Sequence, residues 1–82
     1  MRARVSVTLK DGVLDPQGKA IAQALRRLGY KGVAEARQGK LIELDLGEID
    51  PVKARSQVEA MCRDLLANPV IETYAIELVG AV

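Results

Sequence analysis

The dipeptide Asp-Pro occurs twice in this 82-residue chain, at Asp15-Pro16 and at Asp50-Pro51. Each pair is typical of a helix start, because the aspartate can accept hydrogen bonds from the first free N–H groups and proline suits the first helical position. A stripe of apolar residues follows each pair. The sequence therefore predicts two helices that begin in the same way, each separating segments that alternate like strands.

The two helices are predicted from apolar residues that recur every three or four positions. The stripes consist of Ile21, Leu25 and Leu28, with Ala24 beside them, and of Ala54, Val58, Met61 and Leu65. Gly29 is typical of a helix end. The segment 67–69 ends the second helix, because proline disfavours helix in the residue before it.

Alternation of apolar and polar residues predicts three clear strands, at 3–10, 41–46 and 70–79. A weaker strand is predicted at 32–38, followed by a tight turn at Gly39-Lys40. The apolar residues that share one face within each clear strand are Ala3, Val5, Val7 and Leu9; Ile42, Leu44 and Leu46; and Tyr74, Ile76 and Leu78.

The resulting order is strand, helix, strand, strand, helix, strand. It predicts an α+β fold of the ferredoxin-like split β-α-β-β-α-β type, with a four-stranded antiparallel sheet and two helices on one face. We expect one domain over residues 1–82. A chain this short buries only about 60% of its unfolded surface, so we expect at least a dimer that pairs its open sheet edges.

Composition limits which kinds of partner and which cellular compartment we expect for this chain. The net charge of +1 provides no overall attraction to nucleic acid or to an anionic membrane. One cysteine cannot form an internal disulfide, and no apolar run is long enough for a signal peptide or a membrane span. We therefore expect a cytoplasmic protein that binds neither nucleic acid nor membrane.

The chain contains no histidine, which excludes Ser-His and Cys-His nucleophiles. With a single cysteine, it also lacks the ligands of a structural zinc site. RNA-binding sheets commonly stack bases on aromatic side chains, and the predicted strands carry only Tyr74. We therefore expect no catalytic residue and no metal site in this chain.

The segment GVLDPQGKA (12–20) resembles a phosphate-binding loop, but it departs from the Walker pattern G-x-x-x-x-G-K-[ST]. Five residues instead of four separate Gly12 from Gly18, and Ala20 replaces the hydroxyl residue. Pro16 lacks an N–H, and Asp15 as the helix cap would occupy the first free N–H groups. These features disfavour nucleotide binding, and we expect this chain to bind no cofactor.

Gly18 then needs another explanation, because glycine inside a helix costs about 1 kcal/mol relative to alanine. A missing side chain indicates the close approach of another backbone. That backbone belongs either to a neighbouring loop of the same chain or to a partner subunit, and the sequence leaves both open.

Three further sets of side chains have a structural and a functional interpretation. Cys62, beside the second stripe, suits a small buried thiol better than a nucleophile. The strand carboxylates Glu43, Asp45, Glu72 and Glu77 suit an outer face that pairs with Arg2, Arg4 or Lys10 better than a general acid/base pair. Arg26, Arg27 and Lys31 suit the negative end of the first helix dipole, although an anion or acidic-partner contact stays open.

Three segments, VTLKDGVLDPQGKAIAQALRRLGY, RQGKLIELDL and CRDLLANPVIETYAIEL, together resemble the small PurS-type subunit of phosphoribosylformylglycinamidine synthase. LDPQGKA and LLANPVIE are the most specific parts, and the similarity spans nearly the whole chain. This enzyme converts formylglycinamide ribonucleotide, ATP and glutamine to formylglycinamidine ribonucleotide, ADP, phosphate and glutamate.

The resemblance implies a non-catalytic adaptor between a large synthase subunit, which holds ATP and the ribonucleotide, and a glutaminase subunit that makes ammonia. ATP and magnesium would be used by the complex and not by this chain. The residues of the specific segments that we expect at a partner interface are Leu14, Asp15, Pro16, Gln17, Gly18, Lys19, Asn68 and Pro69. The rival interpretation is a ligand-sensing dimeric module of the same fold, and an RNA-binding sheet is a weaker one.

Overall fold

The computed structural model describes residues 1–47 and 50–80. Its elements follow the chain in the order β1 (Arg2–Leu9), α1 (Pro16–Arg27), β2 (Lys40–Asp45), α2 (Pro51–Met61), a π-helical turn (Cys62–Leu66) and β3 (Glu72–Val79). The strands form an antiparallel sheet in the order β2-β1-β3. The predicted α+β class, both helices and the three clear strands are thus confirmed.

Both helices begin and α1 ends as the sequence predicts. Asp15 and Asp50 are the N-caps, and each is followed by proline at the first helical position. Gly29 has a φ of +105°, which is the left-handed conformation of a helix C-terminus. The N–H of Tyr30 then donates to the Leu25 carbonyl at 3.0 Å, which completes a Schellman motif.

The predicted fourth strand at 32–38 is absent from the sheet of the described residues, so the expected four-stranded sheet is wrong. Two side chains occupy backbone groups that a strand ladder would need. Asp15 accepts the N–H of Gln38 at 3.0 Å, and Arg26 donates to the carbonyl of Val33 at 2.8 Å. The segment 33–39 therefore lies against α1 and leads directly into β2.

Gly39-Lys40 is consequently not a hairpin turn. Lys40 is the first residue of β2 and lies opposite Val7 of β1. A β-carbon on Gly39 would collide with the Val7 carbonyl oxygen, so glycine is required where the chain meets β1.

The core lies between the inner face of the sheet and α2. Ala3, Val5 and Val7 of β1 are almost completely buried, as are Val58 and Cys62 on the helical side. The predicted inner rows of the outer strands pack against this core but are only partly buried; they are Ile42, Leu44, Leu46, Tyr74, Ile76 and Leu78.

The predicted α2 stripe is correct at Ala54 and Val58 and wrong beyond them. The next buried position is Cys62, and Met61 and Leu65 are exposed. The π-helical turn then widens the spacing to five residues, with the Ala67 N–H donating to the Cys62 carbonyl at 3.1 Å. Ala67 is buried and belongs to the core cluster with Val58 and Cys62.

The expectation of two helices on one sheet face is also wrong. The helix α1 makes no extensive contact with a strand or with α2, whereas α2 packs on β3. The predicted core stripe of α1 is consequently open, with Leu28 74% and Ile21 40% exposed. The segment 33–39 explains this arrangement, because its contacts with Gly18 and Arg26 hold α1 beyond the carboxyl end of β1.

Candidate partner surface at the carboxyl end of β1

The two predicted interface segments, 14–19 and 68–69, both lie near the carboxyl end of β1. Pro16 and Gln17 line a shallow groove together with Glu72. The Glu72 carboxylate in turn accepts the backbone N–H of Asn68 at 2.7 Å. We call residues 14–19 and 68–69 together the β1-end surface.

Asp15 fixes one side of this surface. Its Oδ1 accepts the N–H of Gly18 at 2.9 Å, and its Oδ2 accepts the N–H of Gln38 at 3.0 Å. These hydrogen bonds, that from Gly18 above all, hold the pKa of Asp15 below its ordinary value, and the positive charge of Arg37 acts in the same direction. One carboxylate thus caps α1 and ties the helix to the segment that follows it.

Gly18 is the point where α1 touches that segment. It is buried, and a β-carbon there would collide with the carbonyl oxygen of Ala36 and approach Asp15 Oδ2 to 2.6 Å. Of the two explanations that the sequence left open, the backbone that approaches Gly18 belongs to the same chain. Gly18 is therefore needed for the fold.

Asn68 and Pro69 build the opposite side of the surface as a turn. The Asn68 Oδ1 accepts the N–H of Val70 at 3.0 Å, and its carbonyl accepts the N–H of Glu72 at 2.7 Å. Lys10, directly after β1, donates from Nζ to the Pro69 carbonyl at 2.8 Å. Asn68 and Pro69 therefore position the start of β3, and they lie next to the surface that residues 14–19 form.

In the first segment of the β1-end surface four side chains are exposed, those of Leu14, Pro16, Gln17 and Lys19. Asn68 and Pro69 of the second segment are exposed as well. Leu14 is 75% exposed and offers apolar contact area there. Within residues 1–47 and 50–80 no hydrogen bond or ion pair engages the Lys19 amine. An apolar side chain and a free cation thus lie side by side at the start of α1.

Beside these residues an open groove of about 750 Å³ lies between α1 and the segment 34–37. Most of its cations already have partners. Arg26 donates to the carbonyls of Val33 and Ala34, and Arg37 donates to the Leu9 carbonyl and pairs with Asp11 at 3.4 Å. The groove also contains the carboxylates of Asp15 and Glu35, so its charges suit structural cross-linking better than anion binding.

Arg37 and Gln38 are the residues of this region that sequence reasoning missed. They bind the end of β1 and the cap of α1, respectively. Both lie in the stretch that was predicted as a weak strand. Arg37 binds the Leu9 carbonyl through its side chain, whereas Gln38 donates its backbone N–H to the Asp15 carboxylate, so its residue type carried no signal for this contact.

The strand carboxylates form the outer face that the sequence predicts. Arg2 pairs with Glu43 at 3.7 Å and Asp45 at 3.2 Å, and Arg4 pairs with Glu77 at 3.8 Å. These pairs follow the sheet register, in which Arg2 lies opposite Asp45 and Arg4 opposite Glu77. Glu72 departs from the expectation, because it binds the Asn68 turn instead of a cation.

Cys62 is completely buried, as predicted. Burial raises the pKa of its thiol, and the nearby Glu59 acts in the same direction. In the described part of the chain no helix is long and apolar enough to cross a membrane. In the same residues, no three metal-ligating side chains of the His, Cys, Asp and Glu types come together.

Comparison with known proteins identifies the family. The PurS family model, described as phosphoribosylformylglycinamidine (FGAM) synthase, matches residues 2–80. The chain belongs to the PurS family. The PurS subunit of phosphoribosylformylglycinamidine synthase from Synechocystis sp. is 49% identical over 75 residues, which is 92% of this chain and 75% of that protein.

Solved PurS structures share the fold. Methanocaldococcus jannaschii PurS, one of the subunits of formylglycinamide ribonucleotide amidotransferase in the purine biosynthetic pathway, is 41% identical. The match covers 99% of this chain and 98% of that one, with a TM-score of 0.88. A chain in the structure of PurLQS from Thermotoga maritima is 33% identical, with 93% of each chain covered and a TM-score of 0.84. The resemblance drawn from the sequence is thus confirmed, and PurS proteins are subunits of this ligase of purine biosynthesis.

Proposed function

We propose that this chain is the non-catalytic adaptor of phosphoribosylformylglycinamidine synthase in the cytoplasm. In this role it joins the large synthase subunit, which binds ATP, magnesium and the ribonucleotide, to the glutaminase subunit. It also supports the transfer of ammonia from the glutaminase to the synthase. The chain itself binds no cofactor in this proposal.

The observation that carries this proposal is the similarity to a chain in the PurLQS structure from Thermotoga maritima. It extends over 93% of both chains, so the resemblance concerns a whole subunit and not one shared motif. The curated relatives from Synechocystis sp. and Mycobacterium leprae are likewise whole subunits by name, each 49% identical to this chain.

The side chains of the described residues support a non-catalytic role for this chain. The carboxylates Glu43, Asp45 and Glu77 are held by arginines on the outer face of the sheet. The buried thiol of Cys62 is protonated at neutral pH, because its pKa lies above the ordinary value of 9.0. Such groups are poorly suited to act as a general base or a nucleophile.

The β1-end surface is the part of the chain that we assign to a partner subunit. Leu14 offers apolar contact area, and Gln17 and Lys19 offer polar contacts beside it. Asn68 and Pro69 extend the same surface from the other side of β1. Asp15 and Gly18 contribute indirectly, because they fix the position at which α1 begins.

Reconstitution of the enzyme from this chain, the large subunit and the glutaminase of the same organism tests the proposal. We expect glutamine-dependent amidine formation only when all three proteins are present, and ammonia-dependent formation with the large subunit alone. Full glutamine-dependent activity without this chain would contradict the adaptor role. Ammonia-dependent turnover by this chain alone would contradict its non-catalytic character.

A further inference from the structure

Among the five aspartates and the single asparagine of this chain, only Asp11 is followed by glycine. Of the others, three precede proline and two precede leucine; they are Asp15, Asp50 and Asn68, and Asp45 and Asp64, respectively. The backbone nitrogen of the next residue can attack an aspartyl side chain, and glycine hinders that attack least because it has no side chain. Proline has no N–H to give up in such an attack. The sequence therefore makes Asp11-Gly12 the least hindered place for this intramolecular reaction.

Asp11 and Gly12 form an exposed turn directly after β1. The N–H of Val13 donates to the Lys10 carbonyl at 3.1 Å, and Gly12 has a φ of +86°, which together define a type II turn. The Asp11 side chain is fully exposed, and nothing lies within 4 Å of the Gly12 β-carbon position. Within residues 1–47 and 50–80 no hydrogen bond engages the Gly12 N–H. The attacking nitrogen is thus free, and the turn has room to change its shape.

The two aspartates that precede leucine lie in regular structure instead. Asp45 is the last residue of β2, and the N–H of Leu46 donates to the Met1 carbonyl at 2.8 Å. Asp64 lies inside the π-helical turn Cys62–Leu66, which fixes the backbone on both sides of it. The fold therefore adds to the difference that the following side chain already makes.

Only surface contacts restrain the Asp11 turn. One is the hydrogen bond from Val13 to Lys10, and the other is the ion pair of Asp11 with Arg37 at 3.4 Å. Exposed ion pairs are weak. The peptide bond between Asp11 and Gly12 can therefore rotate toward the geometry of attack by local opening, while the core around Val5 and Val7 stays folded.

We propose that Asp11 is a site of isoaspartate formation in the folded chain. The Gly12 nitrogen attacks Cγ of the protonated Asp11 carboxyl group. A bond forms between that nitrogen and Cγ, the nitrogen gives up its proton and the carboxyl hydroxyl leaves, so that one water is released and a succinimide ring closes.

Water then opens the ring at one of its two carbonyl carbons. Breaking the bond between the nitrogen and Cγ restores aspartate. Breaking the bond between the nitrogen and the main-chain carbonyl carbon gives isoaspartate, in which the main chain runs through Cβ and Cγ. One water is lost and one is regained, so the step needs no oxidant, reductant or other co-reactant.

The product changes the chain beside the β1-end surface. Isoaspartate lengthens the main chain by one atom between Lys10 and Gly12, and it moves the carboxylate that pairs with Arg37. Lys10 binds the Pro69 carbonyl, and Leu14 follows two residues after Gly12. The inference concerns the chemistry of this turn, and it holds whether or not the chain joins a synthase.

Ageing of the folded wild-type chain at neutral pH in water enriched in heavy oxygen tests the proposal, because each ring opening adds one heavy oxygen atom. Circular dichroism confirms that the aged chain is folded. Digestion with trypsin in ordinary water then separates peptide 11–19 from peptides 41–53 and 64–82, which contain Asp45 and Asp64. Mass spectrometry counts the heavy oxygen in each peptide, and fragmentation by electron transfer distinguishes Asp11 from Asp15. Enzymatic methylation of isoaspartyl carboxylates with labelled S-adenosylmethionine is the second readout.

We expect heavy oxygen and isoaspartate to accumulate at Asp11 ahead of Asp45 and Asp64. Asp11→Glu should lose both signals, because attack on the longer side chain would have to close a six-membered ring, which is much slower. Asp64→Glu is the matched control and should keep both signals. Signals at Asp11 that arise only in denaturant would overturn the proposal, because the folded turn would then be protected. Equal signals at all three aspartates, or unchanged methylation of Asp11→Glu, would overturn it as well.

Discussion

Asp15 and Gln38 are joined by a hydrogen bond of 3.0 Å from the Gln38 N–H to the carboxylate. The other oxygen of the same carboxylate caps α1 through Gly18. This pair connects the start of the helix to the residue that precedes the Gly39 contact with β1. Asp15 is thus one of the residues that fix the orientation of α1 relative to the sheet, together with Gly18 and Arg26.

We predict that Asp15→Asn lowers the melting temperature. Asparagine caps a helix as well as aspartate does, so the Gly18 contact can persist. The amide that replaces the second oxygen is a donor and cannot accept the Gln38 N–H. Thermal unfolding followed by circular dichroism at neutral pH measures the loss, with Asp64→Asn, an exposed residue, as the control.

The lowered pKa of Asp15 also predicts that its contribution to stability depends on pH. Because the pKa of Asp15 in the folded chain lies below its ordinary value of 3.8, the carboxylate stabilises the fold above that pH. This contribution is lost as the pH falls through the lower, folded-state pKa. The difference in melting temperature between wild type and Asp15→Asn should therefore be steady near neutral pH and shrink below 3.8. A difference that grows on acidification would contradict this role.

Gly18→Ala should destabilise the chain, although alanine favours helix over glycine by about 1 kcal/mol. The added methyl group collides with the Ala36 carbonyl, which belongs to backbone and cannot rotate away. Overpacking typically costs about 1–3 kcal/mol, and each kcal/mol shifts the melting temperature of such a domain by about 4–8 °C. Gly32→Ala is the control, because nothing lies within 4 Å of its β-carbon position. Equal melting temperatures for the two variants would show that the Ala36 contact does not constrain Gly18.

The sequence predicts those parts of the fold that local chemistry determines. Asp15 and Asp50 start the helices, Gly29 ends the first, and the alternation of β1 buries Val5 and Val7. Each of these signals acts within a few residues. The family resemblance added the subunit identity, which composition and periodicity alone do not contain.

The errors occur where distant backbone groups compete for partners. The segment 32–38 has too few large apolar residues to hold a strand in the sheet, and its backbone is instead bound by Asp15 and Arg26. An apolar stripe such as that of α1 predicts burial, but it does not say in which chain the covering surface lies. The residues of the candidate partner surface were predicted from the sequence. Only the structure shows that Asp15 and Gly18 fix the start of α1, while Leu14 and Lys19 are exposed.

Cys62 should resist thiol reagents in the folded chain. Its side chain is inaccessible, and burial raises its pKa and so reduces the thiolate that reacts. We expect labelling by a water-soluble maleimide at neutral pH to be slow in buffer and fast in denaturant. The chain has one cysteine, so the unfolded chain in denaturant is its own control. Rapid labelling without denaturant would show that α2 opens readily from the sheet.

The charge of Lys19 should matter for partner binding and not for nucleotide binding. Lys19 is exposed and unpaired on the β1-end surface, so Lys19→Glu should weaken binding to the other synthase subunits at an unchanged melting temperature. Lys53→Glu is the matched control, because Lys53 is also exposed in the first turn of a helix that begins with Asp-Pro.

We expect calorimetric titration of the isolated wild-type chain with ATP and magnesium to show no tight binding, since Pro16 and Asp15 leave the α1 start without free donors for phosphate. Tight ATP binding that Lys19→Ala abolishes would instead establish a phosphate site, and equal loss of subunit binding in both glutamate variants would place the contact elsewhere.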